Sequence, residues 1–120
     1  MSTYAYAATV VRVIDGDTVV LNVDLGFRTR HESAFRLYGI DAPEVNTAGP
    51  EGEAARDHLR SLLPVGRRVY IETRKSADKY GRWLATVWLD DDPDAAVITP
   101  PINDQLVASG HARVYDGGAR

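Results

Sequence analysis

The chain is divided by turn-forming residues into short β-branched runs, and this division constrains the fold more than any other feature. Residues 9–14 and 18–23 flank Asp15-Gly16, a dipeptide that favours a tight hairpin turn. The next hairpin has a longer loop. The remaining predicted strands are 34–41, 68–74 and 83–89, and a short final strand is compatible with 112–115. Many short strands with turns between them favour a small closed barrel.

Two helices are predicted among these strands. The first begins at Pro50, a residue suited to the first helical position. Its apolar stripe consists of Ala55, Leu59, Leu62 and Leu63. The second is short, spans 102–109 and has Asn103 as its cap, whereas 45–49 is predicted to be a loop. Five strands, one helix between strands 3 and 4 and a short helix after strand 5 favour an α+β fold built on a five-stranded OB-fold barrel.

Length and composition limit the class of protein. We expect the 120 residues to form one domain, with its core over about 9–115. A net charge of −3 argues against a protein that simply coats nucleic acid, since such proteins are usually basic. The lack of cysteine excludes disulfides and thiolate metal sites. Because the chain has no signal peptide and no apolar run of roughly 18 residues, we expect a cytoplasmic protein with no membrane partner.

The stretch 35–44 combines an apolar strand with three charged side chains, those of Arg36, Asp41 and Glu44. The simplest interpretation is a strand end whose charges lie in water. On one regular strand Arg36 and Asp41 would point to opposite faces. Gly39 predicts a β-bulge, which would restore their parity and place both side chains on one side.

Three separated segments carry charges that the strand pattern does not require: Asp17, the trio within 35–44, and Arg82. Turn chemistry accounts for Asp15-Gly16 but not for a carboxylate at Asp17. Two guanidiniums suit a phosphodiester, and two aspartates suit a hard cation such as Ca²⁺ or Mg²⁺. A further carboxylate can orient or deprotonate a water. Hydrolysis of a phosphodiester is therefore one hypothesis among several.

Three blocks of the sequence resemble the signature blocks of the staphylococcal nuclease (thermonuclease) family, in the same order along the chain. The blocks are Ile14-Asp15-Gly16-Asp17-Thr18-Val19, Phe35-Arg36-Leu37 with Ile40-Asp41-Ala42-Pro43-Glu44, and Asp78-Lys79-Tyr80-Gly81-Arg82. The resemblance extends over about 9–115. It implies an OB-fold nuclease that cuts DNA and RNA, depends on Ca²⁺, with Mg²⁺ or Mn²⁺ as alternatives, and leaves 3′-phosphate ends.

The resemblance also implies roles for individual residues. Asp17 and Asp41 match the carboxylates that bind the metal, and the main-chain carbonyl of Ala42 matches a further ligand. Glu44 matches the general base for the attacking water. The matches to the phosphate-binding arginines are Arg36 and Arg82, and those to the nucleotide site are Lys79, Tyr80 and Tyr115.

Two of the differences from the family pattern concern the length of segments. The loop over 24–33 is longer, and it carries Arg28, Arg30 and His31, which can contact a polyanion or can simply be solvated. The family's C-terminal helix is expected to be missing, because the sequence ends at Arg120.

Two other interpretations compete with the nuclease. One is a catalytically inactive OB module of the same family that binds nucleic acid or a protein partner. The other is a structural or inhibitory interaction protein that uses the long second hairpin. No obligate protein partner is evident from the residues, and all five charged positions of the family pattern are retained. The nuclease is the preferred interpretation.

Overall fold

A computed structural model of the chain describes residues 4–75, 82–89 and 99–115. The strands are β1 (Ala5–Asp15), β2 (Thr18–Asp24), β3 (Arg30–Leu37), β4 (Ile40–Asp41), β5 (Arg68–Arg74), β6 (Trp83–Trp88) and β7 (Arg113–Val114). The helices within these residues are α1 (Val45–Ala48), α2 (Pro50–Leu62) and α3 (Ile102–Ala108). Lys79 and Tyr80 lie outside the described residues.

Five strands close into a barrel in the order β1–β2–β3–β6–β5, which confirms the predicted OB-type architecture. Neighbouring strands are antiparallel except for β3 and β6, which run parallel. The register of β1 against β2 shifts between Val10 and Arg12 and again between Val13 and Asp15. Such irregularities bend a strand, and here they let the long β1 pair with both β2 and β5.

The alternating strand residues meet inside the barrel. Leu21, Leu37 and Ile71 are completely buried there, together with Val87. Helix α2 packs against β1, and its predicted stripe is confirmed in substance. Leu59 and Leu63 join the core, Ala55 is buried and Leu62 is half-buried.

The predicted strand over 34–41 is two strands, and the predicted bulge at Gly39 is wrong. Strand β3 begins at Arg30, so the loop predicted over 24–33 covers only 25–29. The strand ends at Leu37, and Tyr38-Gly39 form a turn that leads into β4. Gly39 has a φ of 79°, a left-handed conformation that favours glycine. Strand β4 leaves the barrel and pairs with β7 in a separate two-stranded sheet. The chain therefore turns at Gly39 where a bulge would have continued the strand.

Two expectations about the helices are also wrong. The segment predicted as a loop over 45–49 contains the short helix α1. The residue that caps α3 is Pro101, whereas Asn103 is buried and bonded to the barrel. Its Oδ1 accepts from the Val87 amide, and its Nδ2 donates to the carbonyls of Tyr38 and Ala85. Asn103 thus ties α3 to β6 and to the turn before β4.

None of the helices in the described parts of the chain is long and apolar enough to cross a membrane.

Candidate active site

Asp17 lies in the two-residue turn between β1 and β2 and is buried. Its Oδ1 accepts from the Thr18 hydroxyl at 3.0 Å, and its Oδ2 accepts from the Ala42 amide at 3.1 Å. A buried carboxylate needs such donors, because removing it from water without them is costly. The β1–β2 turn is thereby fastened to the residue that follows β4.

Arg36 joins the two aspartates. One of its nitrogens, Nη2, lies 3.1 Å from Asp41 Oδ1 and 3.5 Å from Asp17 Oδ2. The Arg36 side chain is 7% exposed, so these contacts are shielded from water and hold the guanidinium in one orientation. Arg36 and Asp41 therefore do share one side of the fold, although the turn at Gly39 brings them together.

Asp41 is also bound by Arg113, which the sequence analysis did not single out. Arg113 Nη2 lies 3.2 Å from Asp41 Oδ2 because β4 and β7 pair these two residues directly. The Arg113 side chain is 81% exposed, against 11% for Asp41. In the sequence, Arg113 is visible only as a charged residue of the predicted strand 112–115. The sequence does not indicate which strand pairs with it.

Glu44 follows β4 and precedes α1, with its side chain exposed. Two neighbours fix its backbone. The Val45 amide donates to Asp15 Oδ1 at 3.1 Å. A Cβ on Gly52 would overlap the Glu44 carbonyl, so glycine is what allows α2 to approach this segment. The turn chemistry that explains Asp15 in the sequence gives no sign of this contact.

Gly16 allows neighbouring segments to pack closely against the β1–β2 turn. A Cβ on Gly16 would lie 2.7 Å from the Ala55 Cβ and 3.1 Å from the Ala42 Cβ. Real Cβ atoms essentially never come as close as 2.7 Å, so glycine permits α2 to pack against the turn, and the segment after β4 also lies close to it. The Asp15-Gly16-Asp17 turn therefore positions residues 42–45 through all three of its members.

Tyr115 borders the same region, and Arg82 lies at the start of the strand that pairs with β3. The Tyr115 amide donates to the Gly39 carbonyl at 2.8 Å, and the Arg36 guanidinium lies 5.2 Å from the centre of the Tyr115 ring. That distance is within the range of a cation–π interaction. Arg82 directly precedes β6, whose first residue pairs with Phe35, the neighbour of Arg36.

The donor atoms here suit a hard divalent cation. Ca²⁺ prefers six to eight oxygen ligands, and both Ca²⁺ and Mg²⁺ can complete their coordination with water. Asp17 and Asp41 each place a carboxylate oxygen close to Arg36 Nη2. Within residues 4–75, 82–89 and 99–115, no group of three or more acidic or histidine side chains is arranged to hold a metal ion. The Ala42 amide donates to Asp17, and the Ala42 carbonyl oxygen is the candidate further ligand. A cation bound to Asp41 would compete with Arg113 and Arg36 for its oxygens.

Known proteins resemble this chain over most of its length. It is 42% identical over 88 residues to Thermonuclease of Staphylococcus intermedius, covering 69% of this chain and 49% of that protein. It is 38% identical over 107 residues to Protein ParB of Escherichia coli, with 88% and 55% covered. It is 34% identical over 111 residues to Micrococcal nuclease of Shigella flexneri, with 92% and 59% covered. The chain thus spans about half the length of the curated relatives it matches.

A family model described as Staphylococcal nuclease homologue matches residues 34–119. The matched part includes Arg36, Asp41 and Glu44, and Asp17 precedes it. Since this match covers well over half of the sequence, the chain belongs to the staphylococcal nuclease homologue family.

Proposed function

We propose that the chain is a metal-dependent nuclease that hydrolyses phosphodiester bonds of DNA or RNA, with Ca²⁺ as its metal and 3′-phosphate products. The observation that carries this proposal is the single Arg36 nitrogen in contact with both Asp17 and Asp41. A guanidinium in this position can bind a phosphate oxygen beside a cation held by the two carboxylates. Two relatives of the chain, a thermonuclease and a micrococcal nuclease, support it.

The arginines would stabilise the charge that develops on the phosphate. Arg36 is held by two carboxylates and lies against the Tyr115 ring, so its orientation is set before a substrate arrives. A preorganised donor of this kind stabilises a transition state without reorganising during the reaction. Arg82 would supply the second guanidinium, and Lys79, Tyr80 and Tyr115 would contact the nucleotide.

Glu44 would orient the attacking water and accept its proton. Its side chain is exposed, so water reaches it, while Asp15 and Gly52 hold its backbone in place. Asp17, Asp41 and the Ala42 carbonyl would hold the metal. When bound, the metal would polarise the phosphoryl oxygens and offset their negative charge.

The test is a cleavage assay on plasmid DNA, single-stranded DNA and RNA, with Ca²⁺, Mg²⁺, Mn²⁺ or a chelator in separate reactions. Cleavage should require a metal and should be fastest with Ca²⁺. Arg36→Ala, Arg82→Ala and Glu44→Gln should each lower the rate by about 100- to 1,000-fold, as the loss of one strong transition-state contact does elsewhere. Arg60→Ala, which removes an exposed arginine of α2, is the matched control.

The outcomes separate the alternatives. If no metal supports cleavage but single-stranded DNA still binds, the chain is an inactive OB module of the family. If cleavage survives in Glu44→Gln but not in Arg36→Ala, Glu44 is not the base and the phosphate contact stands. Products with 5′-phosphate ends would contradict the proposed position of bond cleavage.

A further inference from the structure

One end of the barrel opens into a cavity of about 440 Å³, which we call the barrel mouth. Every barrel strand contributes to its lining. Val23 and Phe35 are buried and form its floor, and Tyr4, Tyr6 and Trp83 stand around it. Trp83 lines the cavity and is 42% exposed although it begins a barrel strand. The volume falls within the roughly 300–1,000 Å³ typical of ligand sites.

The lining combines aromatic surfaces with positive charge. His31 and Lys75 are exposed at the opening, and none of the described residues that line it is acidic. A flat, aromatic ligand joined to an anion would match both features. An unpaired nucleobase with its phosphate has this chemistry, because its faces stack on aromatic side chains while its phosphate attracts cations. A base inside a duplex has both faces covered by its neighbours and cannot enter.

The barrel mouth shares strands β3 and β6 with the candidate active site. Strands β3 and β6 pair Phe35 with Trp83 and Arg36 with Leu84. Because strand side chains alternate, Phe35 points into the barrel and Arg36 away from its interior. The barrel mouth and the Arg36 side chain therefore lie on opposite faces of β3.

We propose that the barrel mouth binds one unpaired nucleobase of a DNA or RNA strand, with Trp83 as the stacking surface. This inference rests on the proposed nuclease function and adds a binding site for its substrate. The phosphate joined to the bound base would lie at the opening, beside His31 and Lys75.

The test measures equilibrium binding of a fluorescently labelled short oligothymidylate in the presence of EDTA, which prevents metal-dependent cleavage. Trp83→Ala should weaken binding by roughly 5- to 150-fold, the range for loss of one base-stacking aromatic. Trp83→Phe keeps an aromatic face and should retain most of the affinity; it also serves if the alanine variant fails to fold. An oligonucleotide of the same length without bases should bind the wild type more weakly, and Trp83→Ala should then cause no further loss.

Two controls confine the effect to the barrel mouth. Phe27 is a fully exposed aromatic residue on the loop between β2 and β3 and does not line the cavity, so Phe27→Ala should bind like the wild type. Binding should also quench tryptophan fluorescence in the wild type but not in Trp83→Phe, because Trp88 is buried against Tyr70.

Two results would overturn the proposal: an unchanged affinity in Trp83→Ala, or an equal loss on the normal and the base-free strand. Both are read without cleavage. A chain that binds as described but cuts nothing would refute the nuclease and leave the base site intact. A chain that cuts but binds independently of Trp83 would refute only the base site.

Discussion

Arg113 holds the carboxylate oxygen of Asp41 that Arg36 does not occupy, with its Nη2 3.2 Å from Oδ2. The two contacts differ in kind. The Arg36 side chain is 7% exposed, whereas that of Arg113 is 81% exposed. An exposed ion pair contributes about 0.2–1 kcal/mol, so the Arg113 contact is easily broken. Arg113 is therefore a replaceable cation at a carboxylate that we propose as a metal ligand.

Replacing Arg113 with glutamine should tighten metal binding. The metal would no longer compete with the Arg113 guanidinium for Asp41, and the expected gain in Ca²⁺ affinity is roughly 1.5- to 5-fold, from the energy of an exposed ion pair. Calorimetric titration of Ca²⁺ into the two proteins measures it. Arg60→Gln breaks a comparable exposed pair with Asp57 and should leave the affinity unchanged. A weaker affinity in Arg113→Gln would mean that Arg113 supports the metal site.

Replacing Gly52 with alanine should lower both stability and catalysis. In an ordinary helix interior this change stabilises by about 1 kcal/mol. Here the new Cβ would overlap the Glu44 carbonyl, and such overpacking typically costs about 1–3 kcal/mol. Because Glu44 must move, the cleavage rate should fall by up to about 100-fold, the scale of a 1 Å misplacement of a catalytic group.

Urea unfolding and cleavage rates check this expectation. Glu53→Ala, at an exposed position in the same turn of α2, is the control and should be close to neutral in both measurements. A stabilised Gly52→Ala variant with normal activity would show that the Glu44 backbone can move away from α2 without a cost in energy or activity.

Replacing Asp15 with alanine should lower the cleavage rate without changing the affinity for the metal. Asp15→Ala leaves the Val45 amide without its acceptor, which costs about 1–3 kcal/mol and loosens the segment that carries Glu44. Asp15→Asn keeps an acceptor oxygen and should recover most of the loss. Turnover should fall in Asp15→Ala while the Ca²⁺ affinity remains that of the wild type. A large drop in metal affinity would instead make Asp15 part of the metal site.

The features that could be predicted from the sequence are those with local signals. Alternation of apolar residues indicates strands such as 68–74, and Pro50 with its apolar stripe indicates α2. Strands β4 and β7 have two residues each, a length too short to show any periodicity. Their pairing is also a contact between segments that are distant in the sequence. The position of Arg113 in the site follows from that pairing alone.

The tertiary contacts of Asp15 and Asn103 are hard to predict for a different reason. Each residue type has a common local use, in a turn or as a helix cap, that explains its presence without any distant partner. In the folded chain Asp15 bonds Val45, and Asn103 bonds three backbone groups of other elements. Local chemistry that is sufficient to explain a residue hides the tertiary contact that the residue makes.

Asn103→Ala should be among the most destabilising single changes in this chain. It removes the acceptor of the buried Val87 amide and the donor to the Tyr38 carbonyl, and each unpaired group costs about 1–3 kcal/mol. We expect a loss of about 2–5 kcal/mol in urea unfolding. Asp104→Asn, an exposed neighbour in the same helix, should change stability by at most about 1 kcal/mol. A small effect of Asn103→Ala would mean that water replaces the lost amide.

Stability should decline in mild acid because of two stacked histidines. The rings of His58 and His111 lie 4.4 Å apart, and burial, together with the charge of His111, lowers the pKa of His58 from its usual 6.5. The unfolded chain then binds a proton more readily than the folded one, so stability is full above about pH 6.5 and falls as the pH drops below it. His111→Gln removes the repulsion but not the burial, and should reduce the fall in unfolding temperature between about pH 7.5 and 5.5 without abolishing it. His31→Gln, at an exposed position far along the chain, should keep the wild-type pH dependence. If His111→Gln lost as much stability in acid as the wild type, repulsion within the histidine pair would not be the cause.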